Sequence, residues 1–167
     1  AVAEGKVLCV AYYKNEHIGN PYIIAARKDV GANTYSFWYH TALIGWRKMT
    51  PGFTLNTTDS VRTVDRIRFA QFDFGSGSQI IFVDGVNKAS VFNGTNWYSI
   101  DSNAAGGPSA AGGDQALDAP SVVDVFENHI FLSGDRTSQS TVAHSAPNDP
   151  LTFTVAAGAG QQVMGYK

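Results

Sequence analysis

The segment QIIFVDGVNKASVFNGTNWYSI, residues 79–100, places three β-rich runs and two turn signals in a space that leaves no room for a helix. QIIFV is apolar at both parities, with Ile80 and Phe82 on one side and Ile81 and Val83 on the other, as expected of a strand covered above and below. Asp84-Gly85 and Asn93-Gly94 then supply turns, because these residue types tolerate positive φ. Ala89 to Phe92 and Thr95 to Ile100 follow as strands, the last carrying Trp97 and Tyr98. The whole is an antiparallel meander.

The same order recurs on either side. Upstream stand VLCVAYY (7–13), YIIAARKD (22–29), YSFWYH (35–40) and a strand around Trp46. RIRFAQFDF (66–74) opens the central unit, and its apolar parity changes from Ile67 and Phe69 to Phe72 and Phe74, which predicts a bulge near Ala70 and Gln71. Downstream come SVVDVF (121–126), HIFLSGD (129–135), STVAHSA (140–146) and LTFTVA (151–156). Four-strand units recurring at roughly 50-residue intervals predict an all-β fold of β-propeller-like blades, with a β-sandwich as the alternative. The units run over 7–50, 66–100 and 119–157 of a single all-β region that forms part of a larger propeller. DSNAAGGPSAAGGDQALDAP (101–120) reads as a flexible loop between the second and third units. No segment shows helical periodicity of useful length.

With 44% hydrophobic and 16% charged residues the chain has the apolar surface to build a core. A net charge of -2 argues against strong nucleic-acid affinity, which depends on phosphate neutralisation, and leaves room for a weak local contact. The single cysteine, Cys9, lies in an apolar strand-like run and reads as a small hydrophobe. No run approaches the roughly 20 apolar residues of a membrane span, and AVAEGK lacks the regions of a signal peptide, so the chain reads as soluble. Its first residue is alanine and its last run is GYK, and it reads as a piece of something longer.

No chemistry-bearing set stands out. His17, His40, His129 and His144 show no metal-ligand spacing, although His129 and His144 can meet across a hairpin. Ser76 and Ser78 in FGSGSQ lack a nucleophile-elbow context, and FGSGSQ and AAGAGQQ lack the Lys-Ser/Thr ending of a phosphate loop. Asp73, Asp84 and Asp124 are the candidates for a glycosidase carboxylate pair, but Asp84 is accounted for by its turn. The sequons at Asn56 and Asn93 read as turns. Arg62, Arg66 and Arg68 share one parity and project to one side, toward water, a neighbouring subunit or a channel. Trp38, Trp46 and Trp97 read as core anchors or, in the alternative, as sugar-stacking groups. The expectation is a non-enzyme with no catalytic, cofactor or metal residues.

The series FVDGVNKASVFNGTNWYSI, AP, SVVDVFENHIFLSGD and TVAHSAPNDPLTF resembles the repeat of bacteriophage tail and head-to-tail connector propeller proteins, of the tail-nozzle and DNA-stabilisation type. The positions that carry the resemblance are Asp84, Gly85, Asn93, Gly94, Thr95, Trp97, Ala119, Pro120, 128–131 and 145–150. It implies a virion structural protein in a homo-oligomeric ring around the DNA channel, with other tail or connector proteins as partners. The alternative function is a glycan-binding propeller for host-surface recognition, and a propeller hydrolase stands third. Three units leave two lateral faces open, so the isolated chain is expected to associate.

Overall fold

The computed structural model describes residues 5–15, 21–75, 77–100, 118–136 and 139–157, with the side chains of 150–157 excepted. Among the described residues twelve strands form three four-stranded sheets, each an antiparallel meander in chain order. The first sheet holds β1 (Val7–Tyr13), β2 (Tyr22–Lys28), β3 (Tyr35–Thr41) and β4 (Gly45–Lys48). The second holds β5 (Arg68–Asp73), β6 (Ser78–Val83), β7 (Ser90–Phe92) and β8 (Trp97–Ser99). The third holds β9 (Val122–Phe126), β10 (His129–Ser133), β11 (Thr141–Ala146) and β12 (Asp149–Ala157).

The sheets stack through two apolar seams, and β6 explains why. Every residue of β6 is buried. Ile80 and Phe82 enter a cluster with Tyr13, Ile24 and Phe37 of the first sheet, whereas Ile81 and Val83 enter another with Ile130, Leu132 and Ala143 of the third. Period-two alternation therefore feeds both seams from one strand. Trp97 anchors the first seam, stacked at 4.6 Å on Phe37 and 5.0 Å on Phe92. The link from β4 to β5 adds Met49, Leu55, Val64 and Ile67 to the same seam, and Ile67 N donates to Leu8 O at 3.1 Å to tie the first two sheets.

The propeller expectation is corrected here. None of the three sheets closes into a ring or barrel, and the arrangement is one of layered sheets, the packing principle of a sandwich extended by a further layer. The repeated strand order encodes each meander but not closure. Among the described residues the stack covers only the middle sheet on both faces, whereas a closed ring would cover every sheet.

The expected bulge at Ala70 and Gln71 is also absent, since β5 pairs with β6 in unbroken register from Arg68↔Val83 to Asp73↔Ser78. The change of apolar parity has another cause: Ile67 faces the first seam, Phe69 packs near Phe82, and Phe72 and Phe74 serve the second. Register shifts occur instead between Val7 and Cys9 in β1 and between Ser145 and Ala146 in β11.

The two Asx-Gly turns work differently from the expected pair of positive-φ residues. Only the glycines adopt positive φ, Gly85 at 80° and Gly94 at 95°. Asp84 Oδ1 instead accepts from Val86 N and Asn87 N at 2.7 Å, and Asn93 Oδ1 accepts from Thr95 N and Asn96 N at 3.0 and 2.8 Å. The hairpin between β9 and β10 uses Glu127 and Asn128 with φ of 46° and 66°, a two-residue turn without glycine.

Candidate functional site

The residues considered for catalysis are separated or occupied by structural roles. Asp73 Oδ1 caps the β5–β6 turn by accepting from Gly75 N and Gly77 N. Asp84 lies at the other end of the same hairpin, one step past the Arg68↔Val83 pair, and at about 3.3 Å per residue the two are roughly 20 Å apart along the strand. Asp124 lies on the outer face of the third sheet, opposite Phe131. Ser78 is buried on β6, where its Oγ accepts from Gln71 Nε2 at 2.7 Å. Ser76, His17, most of the 101–120 loop and the Gly-rich stretch after β12 lie outside the described residues. The Cys9 thiol is pushed up to about 11 by burial, which keeps it protonated near neutrality.

His129 and His144 do meet across β10 and β11, with ring centroids 5.6 Å apart. Their Nδ1 atoms lie 2.5 and 3.2 Å from the same acceptor, Ser145 O. Among the described residues no three His, Cys, Asp or Glu side chains gather as metal ligands. His40 packs on Trp46 at 5.3 Å.

Two features of the described residues bear on function, one apolar and one charged. The first is the outer face of the first sheet. Cross-strand register aligns Tyr12, Ile23, His40 and Trp46 in one row and Val10, Ala25, Trp38 and Lys48 in the next. Val10 is 58%, Tyr12 62% and Trp46 51% exposed, and Val7 and Ile23 are exposed beside them. A groove of about 440 Å³, lined by Val7, Ala25, Arg27, Trp38 and Trp46, crosses this face. The Trp38 indole N–H is buried with no hydrogen-bond partner among the described residues. Trp38 and Trp46 thus belong to this face, and Trp97 alone of the three tryptophans is a core anchor.

The second is a cavity of about 220 Å³ at one end of the seam between the second and third sheets. Arg62, Arg66 and Arg68 line it together with Thr63, Asp65, Asp84, Gly85 and Ser121. The shared parity of Arg66 and Arg68 sends both away from the first seam, because Ile67 between them is buried there. Arg62 Nη1 donates to Gly134 O at 3.1 Å and Arg68 Nη1 donates to Ser121 O, so two guanidiniums are fastened to the backbone of the third sheet. Positive φ at Gly85 and Gly134 lets these chains approach: a Cβ on Gly85 would stand 3.3 Å from Arg62 Nη1, and one on Gly134 only 2.3 Å from Ser121 Oγ.

Comparison with known proteins finds no matching family model, no matching curated protein and no matching solved structure. The resemblance to phage tail and connector propellers is therefore unsupported by relatives, and the unclosed sheets provide no ring or channel for the function it implied. The glycan-binding propeller falls on the same finding. The motifs behind the resemblance are turn and hairpin chemistry: Asp84 and Asn93 cap turns, Trp97 packs a seam, and Asn128 serves a tight hairpin. Any meander of this kind needs such residues.

Proposed function

We propose that this chain is a non-catalytic assembly module that works by stacking β-layers, with a second copy docking on the outer face of its first sheet. The observation that carries the reading is the contiguous exposure of Val7, Val10, Tyr12, Ile23 and Trp46 on one sheet face. Apolar patches of this kind mark association surfaces in soluble proteins. Charge selects the partner face. Arg27 and Lys48 flank the apolar rows, Lys48 with Asp29 at 3.9 Å, so two copies of this face opposed to each other would bring like side chains together without a new carboxylate partner. The outer face of the third sheet offers Phe126 and Phe131 with Asp124, a better complement. Stacking is then head-to-tail, a heterologous contact. The absence of catalysis is supported by the structural roles that Asp73, Asp84 and Ser78 already fill.

Sedimentation over a concentration series tests this with Trp46→Lys on one face and Phe126→Lys on the other. The parent chain should associate as concentration rises, and each variant should remain monomeric. Mixing the two variants should restore one intact contact and yield a pair. A parent chain that stays monomeric, or variants that associate as it does, would remove the proposal.

A further inference from the structure

We propose that the cavity bounded by Arg62, Arg66 and Arg68 is an oxyanion site that takes a single phosphate group. Three guanidiniums line one small cavity and repel one another, and backbone contacts hold Arg62 and Arg68 there. Desolvation and the neighbouring charge of Arg66 both hold the Arg68 pKa below its ordinary value. An anion between them would relieve that repulsion.

The carboxylates of Asp65 and Asp84 offset the cations only in part, since three arginines face two aspartates in the lining. Asp84 is committed elsewhere: its oxygens accept from Val86 N, Asn87 N, Asn87 Nδ2 and Tyr35 Oη. Asp65 also lines the cavity, but it is exposed to solvent and its carboxylate lies 3.6 Å from Lys6 Nζ, a cation outside the lining. Asp59, which Arg62 also approaches, is matched by Arg136 at 2.8 Å. Among the described residues Arg66 has no ion pair or hydrogen bond, so its donors are available to a ligand.

The number of donors selects the ligand class. A carboxylate has two oxygens and is satisfied by one bidentate arginine, whereas a tetrahedral phosphate accepts from several forks at once. Arg62 and Arg68 are each anchored through one Nη1, which leaves their remaining N–H groups directed by a fixed backbone contact. The phosphate could be free in solution or belong to a nucleic-acid strand. The two share the same chemistry at this site.

Titration of the ¹⁵N-labelled chain with inorganic phosphate at constant ionic strength, followed by NMR of the arginine side chains and the Gly85 and Ser121 amides, tests the site. Saturable shifts confined to these signals are expected, and chloride should not reproduce them. Arg66→Ala, at an exposed position, should weaken binding about tenfold, as expected for loss of a charge-assisted contact. Arg68→Lys should also weaken binding because it keeps the charge but loses the fork. Arg47→Ala, on the first sheet, should leave it unchanged. Non-saturating shifts, or Arg66→Ala binding as tightly as the parent, would overturn the assignment. In a second arm, a short oligothymidylate that binds more tightly than phosphate and loses affinity with Arg66→Ala would assign the phosphodiester as the source. Oligothymidylate binding no tighter than phosphate would assign the free anion.

Discussion

Ile80 and Ile81 are adjacent on β6, both fully buried, and face opposite seams. If the molecule is a three-layer stack with the second sheet in the middle, truncating either residue opens a cavity with no solvent-facing side. Ile80→Ala leaves a void against Phe37 and Tyr13 in the seam to the first sheet, and Ile81→Ala one against Ile130 and Leu132 in the seam to the third. Each should cost about 2–5 kcal/mol, the usual range for isoleucine truncation at a buried site that cannot collapse. With a urea m-value of about 2 kcal/mol per molar, a 3 kcal/mol loss moves the unfolding midpoint down by about 1.5 M. Tryptophan fluorescence adds a check on location, because Trp97 belongs to the first seam and so should respond in the native state to Ile80→Ala more than to Ile81→Ala. In a two-layer arrangement one of the two side chains would face water. A cost below about 1 kcal/mol for either variant would place that residue on an open face and refute the stack.

Asp84→Ala removes the acceptor for two backbone amides, Asn87 and the buried Tyr35 hydroxyl, so urea unfolding should show a loss of about 2–4 kcal/mol. Cys9 should alkylate with iodoacetamide at pH 8 about tenfold more slowly in the folded chain than in urea. A pKa near 11 instead of 9.0 lowers the thiolate fraction about a hundredfold, and the greater nucleophilicity of the more basic thiolate partly offsets this. The same shift gives the sign of the alkaline limb. The folded pKa lies above the unfolded one, so the Cys9 contribution is intact below pH 9 and is lost as pH rises toward 11. Tyr35, and Tyr98 at about 12, act in the same direction above pH 10, so urea midpoints at pH 10.5 should fall below those at pH 8.

Strand identity was legible in the chain because it is a local property. Val7–Tyr13 and Tyr22–Lys28 match their sequence runs closely, and the two-faced burial of β6 follows from four consecutive apolar residues that no one-sided strand would carry. Turn placement was legible for the same reason, since Asp84 and Asn93 act on amides two and three residues away. The place of the Glu127-Asn128 turn was legible too, as the gap between the runs 121–126 and 129–135, but its positive φ values were not, because no glycine marks them.

The number and closure of the layers were decided at the tertiary level. A strand that needs cover on both faces is satisfied by a stack or by a ring, and alternation is identical in the two. The parity change in RIRFAQFDF shows the same limit: a bulge and a strand shared between two seams leave one pattern in the sequence, and only the unbroken β5–β6 register separates them. The candidate sites divide along the same line. The common side of Arg66 and Arg68 is a consequence of period two and can be read from the chain. Their convergence with Arg62 depends on the carbonyls of Gly134 and Ser121, which lie 72 and 53 residues away from Arg62 and Arg68 and are brought there only by the packing of the third sheet on the second.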